Sequence, residues 1–317
     1  MGFRVGSGSI CQAAKQTTWG TPVAPTTLLN MTGESINVSL EKGDEGNLLA
    51  SKTAAQRDLL AIVTDGGIDT VLRPDFVDWM LEMAMGKKTG SGPYVYTLAD
   101  PNTQLPFSTI VMNRGGIEKT YPDCTVRRLT ITAPAQDYVR ARIDFVGTKE
   151  IEAGGTGAQT IDTTLSFADP SYRCTSATLL YGAGNGTPAT QICVESVEVT
   201  IDNAIEDAPA TYCSGLYNER PVPGLRSVSV NVAIPYDTDF DTFRDTYYLA
   251  TSSPTVALKL TFTTSDTTEK VEILIPNVSL TDAGGNVNGP GIIDASFSGE
   301  ALSVGSTEPI TTTVTHA

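Results

Sequence analysis

Histidine is all but missing from this chain of 317 residues: its one imidazole is His316, next to the C-terminus. Serine-protease-type triads, His-ligated zinc and histidine general bases all need a placed imidazole. A penultimate residue is expected to fray, so an enzyme here would have to rely on carboxylates or a metal. Cysteine is scarce as well. Cys11, Cys124, Cys174, Cys193 and Cys213 make an odd number with no C-x-x-C pair, which is neither a disulfide framework nor a zinc pattern. Free, mostly buried thiols in a reducing compartment are expected. Basic residues are few: 21 Lys and Arg stand against 36 Asp and Glu, a net charge of −15. That balance excludes a protein that grips nucleic acid, which needs cations to neutralise phosphates. No apolar run approaches the roughly 20 residues that span a bilayer. Met1 to Gly8 lacks the apolar core of a secretory signal, so a soluble chain made in the cytoplasm is expected. Aromatics are 7%, few for sugar stacking, which argues against a glycoside hydrolase with its two placed carboxyls.

What is present is β-forming. Hydrophobic residues are 40%, with 29 Gly and 18 Pro, enough for a folded core. The length suits two domains or one large one. Polar and apolar residues alternate in Ser35–Leu40, Ser196–Ile201 and Ser227–Val232, the signal of a half-buried strand. Further strands are predicted at Val126–Thr132, Val139–Val146, Val256–Thr263, Val271–Ile275 and Ile292–Phe297. Two segments read as helices. Asp75 to Met85 follows Pro74 and places Phe76, Trp79, Met80 and Met83 on one face, with Asp75 as N-cap and Gly86 closing the helix. Asp239 to Leu249 groups Phe240, Phe243 and Tyr247 and carries Asp239 and Asp241 at its start, where the helix dipole favours anions.

These segments recur. Glu34–Leu40 lines up with Glu195–Ile201, Pro74 with Pro235, Asp78 with Asp239 and Trp79 with Phe240. Gly20-Thr21-Pro22 resembles Gly186-Thr187-Pro188, and Phe145-Val146-Gly147 resembles Phe297-Ser298-Gly299. The pattern predicts a tandem duplication, with domains at 1–150 and 151–317 and a linker or surface loop at Ile151–Gly157. The first half carries 15 basic and 16 acidic side chains, the second 6 and 20. Glu41–Asp65 and Asp202–Leu225 occupy equivalent places as long polar loops. Loops beyond about 12–15 residues are usually functional or disordered, and an intersubunit arm is expected. Deleting 45–55 should then leave a folded subunit that cannot polymerise.

Local motifs give no chemistry. Asp237-Thr238-Asp239-Phe240-Asp241 begins like a calcium loop, but Thr242 and Tyr248 stand where Gly and Glu are needed. A capped helix start explains the aspartates better. Gly182–Gly186 lacks the Lys-Ser/Thr of a phosphate loop, and Asn185-Gly186 reads as a hairpin turn. No G-x-S-x-G elbow occurs. Arg140 and Arg142 lie two apart on one strand face. Pairing with carboxylates of a neighbouring subunit is the preferred reading, ordinary solvated charge the alternative.

Gln16-Thr17-Thr18-Trp19-Gly20-Thr21-Pro22, then Thr32–Ser35 and a strand, then a long loop, Gly66-Gly67 opening another strand and the Pro74–Gly86 helix form one continuous pattern. It resembles the major tail tube proteins of long, non-contractile-tailed bacteriophages over most of residues 10–147, and the repeat extends the likeness to about 300. The resemblance implies a mainly β fold: tandem β-sandwich or part-barrel tail-tube domains, each with one flanking helix. It implies a structural virion protein, not an enzyme, without cofactor or metal, made in the host cytoplasm. Rings would close a barrel around a lumen and stack into a tube on a tape measure protein, with tail terminator and distal tail proteins at its ends and DNA passing through. Six domains per ring and two per chain imply a trimeric, pseudo-hexameric ring, with a hexamer of chains as the fallback. An acidic lumen would repel the phosphates and let DNA slide. Candidate ring and stacking residues are Glu45, Asn47, Lys52, Arg57, Glu206, Asp207, Tyr217 and Arg220 in the long loops, with Arg140 and Arg142. The alternatives are another tail or baseplate-hub component, a head–tail connector ring, or an adhesion or carbohydrate-binding module.

Overall fold

The structure, a computed structural model, describes residues 6–44, 57–101, 103–205, 215–217, 219–252, 254–286 and 293–316. It is mainly β with two α-helices, as the alternation predicts. In β14 (Ser196–Asp202), β15 (Ser227–Pro235) and β18 (Asp294–Ala301) every second residue is buried, and the Ser, Asn and Glu between them face out. These strands belong to one long antiparallel layer. Its order is β4 (Asn37–Asp44), β5 (Arg57–Val71), β10 (Arg140–Gly147), the second part of β9 (Glu118–Pro134), β14, β15, β18 and the second part of β17 (Lys270–Asn286). β3 (Met31–Glu34) continues the β4 side along β5. The layer therefore crosses from one half of the sequence to the other at β9–β14.

Two smaller strand groups branch from it through the first parts of β9 and β17. One is β2 (Thr27–Leu29), β1 (Ile10–Lys15), β8 (Ser108–Asn113), the first part of β9 and β11 (Ile151–Glu152). The other is β13 (Thr190–Ile192), β12 (Arg173–Ala183), β16 (Val256–Thr263), the first part of β17 and β19 (Thr311–Thr315). A hairpin of β6 (Gly86–Thr89) and β7 (Tyr94–Leu98), from the first half, pairs with β19 of the second.

The pairings come in matched sets, down to their irregularities. Ser108↔Cys124 and Ile110↔Tyr121, with a register shift between them, are matched by Val256↔Val278 and Leu258↔Ile275 with theirs. The extra residue Arg127, beside the pairs Asp144↔Arg128 and Phe145↔Val126, is matched by Thr281, beside Ser298↔Asp282 and Gly299↔Leu280. Bulges fix register, so they correct the alignment read from sequence. Trp79 corresponds to Phe243, three residues beyond Phe240, and Phe145 to Gly299, two beyond Phe297. Three residues is nearly one helical turn and two is one strand period. Such slips preserve the apolar pattern that guided the alignment.

α1 (Pro74–Met85) is buried nearly all round, by Phe76, Val77, Trp79, Met80, Leu81, Met83, Ala84 and Met85. Its N-cap is Arg73, not Asp75; Asp75 lies in the first turn and accepts the Ala168 N–H at 2.8 Å. Gly86 closes it at φ 89, with a Cβ position 2.8 Å from the Ala99 methyl. α2 (Thr238–Tyr247) buries Phe240 and Phe243, and Asp237 caps it by accepting the Phe240 N–H. The aspartates thus serve a helix start, as expected.

Elsewhere local structure departs from the sequence reading. The expected loop Glu41–Asp65 is in part a ladder, because β4 and β5 pair from Asn37↔Asp65 out to Asp44↔Arg57. Gly66-Gly67 lies inside β5, not at its start. Gly66 has φ 133, and a Cβ there would sit 2.3 Å from the Ser35 carbonyl oxygen, so the close approach of the β3–β4 bend requires glycine. The expected linker or surface loop opens as β11 and continues as a turn, with the Gly155 N–H on the Glu152 carbonyl. Residues beyond it are strapped to the first half: Gln12 and Asp162 exchange two hydrogen bonds of 2.7 and 2.8 Å. His316 does not fray. Its Nδ1 donates to Glu269 Oε2 (2.6 Å), and the ring lies 3.3 Å from Asp78 and meets the Tyr94 ring edge-on. Asn185, at φ 57, and Gly186 form the expected turn between β12 and β13. Cys11, Cys124 and Cys174 are buried thiols and Cys193 an exposed one. Burial pushes the Cys174 thiol up to about 11. Cys213 lies outside the described residues.

Candidate assembly surfaces

The outer face of the long layer mixes short hydroxyl and amide side chains with charged ones. One row runs Arg140, Thr132, Glu198, Asn231, Ser298, Asp282, strand by strand. In the next, Thr130 and Thr200 meet across the β9–β14 join, Oγ1 to Oγ1, at 3.2 Å. Three arginines stand on or beside this face, and each has a carboxylate partner within its own chain. Arg128 bonds Asp202 at 2.7 Å, Arg140 bonds Asp137 at 3.1 Å, and Arg142 bonds Asp69 and Asp144 at 3.0 Å. Burial would raise the Asp202 carboxyl, but the Ala204 N–H and Arg128 outweigh it and hold it low. Exposed pairs of this kind contribute about 0–1 kcal/mol, so their effect is on charge. They neutralise the first half's arginines. The second half adds Glu198, Asp282, Asp294 and Glu300 to the same face, and β14, β15 and β18 contain no Lys or Arg.

The layer has two open ends. Among the described residues no strand pairs with the outer edge of β4 or with the outer edge of β17 beyond Val278. Side chains guard both. At β4, the Ile36 N–H donates to Glu34 Oε2 (2.9 Å) and the Ile36 carbonyl accepts from Arg114 (2.8 Å). Arg114 grips Glu34 with two bonds of 2.8 Å. Burial would raise the Glu34 carboxyl, and these bonds lower it instead. At β17, the Ala283 carbonyl accepts from Arg244 Nε at 3.1 Å. Unguarded edges invite indiscriminate pairing.

The residues singled out from sequence fall into separate places. Glu45, Asn47, Lys52, Glu206 and Asp207 lie outside the described residues. Arg57 opens β5, exposed, at the far end of the β4–β5 hairpin. Tyr217 bridges Ile62 of that strand, and the Ile62 N–H donates to Leu216 at 2.9 Å, so the two long segments meet. Arg220 stacks 4.5 Å from the Phe107 ring centre, and burial pulls its pKa down. Arg140 and Arg142 lie apart from these, on the outer face. Sequence reasoning missed the guards Glu34, Arg114 and Arg244. It also missed Leu40 and Leu60 on the hairpin, 52% and 60% exposed; the unbroken run Leu59–Val63 was the available signal.

A family model described as phage tail tube protein matches residues 6–301. The chain belongs to the phage tail tube protein family. A search of curated proteins finds no match. The tube protein is accordingly a structural virion component, which assembles with itself into a tube and associates with other tail proteins. Its β-rich layer with two open ends suits that role.

Proposed function

We propose that the tube protein forms rings that stack into the tail tube, with three chains per ring. Each chain supplies two tube-like units, 1–150 and 151–317, so that the ring is pseudo-hexameric. The observation that carries this is the recurrence of strand pairings, bulges included, in the two halves of the sequence. The outer face of the long layer lines the lumen in this reading. Its paired arginines and the added carboxylates of the second half make it acidic, which lets DNA pass during ejection without sticking. The tube is built on a tape measure protein and closed by terminator and distal tail proteins. Synthesis in the host cytoplasm is supported by buried thiols that remain unpaired.

Negative-stain electron microscopy with native mass measurement of the purified protein tests this. Stacked rings of three chains are expected. Six chains per ring would remove the two-unit reading, and single rings that never stack would favour a connector.

A further inference from the structure

The two halves of the chain lock around Asn203, just beyond β14. It is fully buried, and its Nδ2 donates to the carbonyls of Ala84 in α1 and Val126 in β9. Each of these three residues has a counterpart in the other half. Counting strand by strand from the matched bulges, Asp65 corresponds to Ser229 and Asn37 to Thr200, so Leu40 stands where Asn203 stands. The bulges match Val126 with Leu280, and the match of Trp79 with Phe243 carries Ala84 to Tyr248. Tyr248 and Leu280 line an open cavity of about 460 Å³ between the C-terminal end of α2 and β17, together with Tyr247, Leu249, Pro254 and Ser279. We infer that Leu40 of one copy seats in this socket on the next copy, as Asn203 seats against α1 and β9 within the chain. This rests on the ring reading above and names the side chain that fills the joint between chains.

Three observations support the seat. Leu40 lies on the same side of β4 as Ile36 and Val38, which pack into the core, just as Asn203 follows Val199 and Ile201. It is 52% exposed, and so is Leu249 on the socket's rim; contact between copies takes both from water. The occupants also differ as their seats do. Asn203 answers two buried carbonyls. The larger side chains of Tyr248 and Leu280 wall the socket with aromatic and aliphatic surface, which suits a leucine better than an amide.

A double-mutant cycle on the critical concentration for assembly, followed by sedimentation, reads this contact. Leu40→Ala and Leu249→Ala each trim an exposed side chain, so both variants should remain folded, which circular dichroism checks. Each should raise the critical concentration about tenfold, the effect of losing one anchor side chain. The variant carrying both should fall short of the product of the two changes by at least about threefold. Changes that multiply, or a Leu40→Ala protein that assembles at the wild-type concentration, would overturn the socket; wild-type rings in the microscope would leave the ring reading standing. A wild-type protein that stays monomeric at every concentration would overturn both.

Discussion

Asn203 lies where β14 leaves β9, fully buried, and its Nδ2 donates to the carbonyls of Ala84 in α1 (3.0 Å) and Val126 in β9 (2.9 Å). Its own N–H reaches the Arg127 carbonyl at the bulge. One residue of the second half thus satisfies three carbonyls of the first. Asn203→Ala leaves two buried acceptors without that donor, at a cost of about 1–3 kcal/mol. Urea unfolding measures it, and a loss under about 0.5 kcal/mol would show that the side chain does not hold the join. His316 acts at the same helix, beside Asp78. Burial opposes its protonation, but Glu269 and Asp78 outweigh burial and hold its pKa above the ordinary value. Its folded-state pKa is raised, so its stabilisation is complete below the unfolded value of about 6.5 and is lost as pH rises through the folded value. His316→Gln should therefore flatten the fall in Tm above about pH 6.5; an unchanged Tm–pH profile would contradict this assignment.

At the scale of elements, α2 depends on its cap more than α1 does. Only two of its residues are deeply buried, whereas α1 is enclosed by apolar contacts. Asp237→Ala should cost about 1 kcal/mol, and Asp237→Asn much less, because Asn caps as well as Asp. Thermal or urea melts check both, and equal losses would argue against capping. The β4–β5 hairpin presents Leu40 and Leu60 to solvent. Leu40→Ser with Leu60→Ser should change subunit stability by no more than about 0.5 kcal/mol while reducing ring and tube formation, followed by sedimentation. Undiminished assembly would remove the hairpin from the interface. Strands such as β14, β15 and β16 were legible because alternation reports burial on one face. β6 and β19 were not. Gly86-Lys87-Lys88-Thr89 and Thr311-Thr312-Thr313-Val314-Thr315 carry almost no apolar contrast; the first forms against its hairpin neighbour β7, and the second because it lies between β17 and the distant β7.

For the whole molecule, sequence and structure agree on a mainly β tail tube protein. They meet less fully at the surfaces. Half of the residues singled out lie in segments outside the described residues, and Arg140 and Arg142 are already paired within the chain. The join of the halves at β9–β14 left no trace in the sequence, because both strands alternate as they would beside any partner. The matched bulges, by contrast, are a feature of pairing and emerge from the ladder alone. In the proposed assembly, two tube-like units in one chain close a ring of three. Native mass measurement of rings seen by negative-stain electron microscopy tests it most directly. Three chains of 33.5 kDa per ring, stacked around an open lumen, is the predicted result; six chains per ring would contradict it.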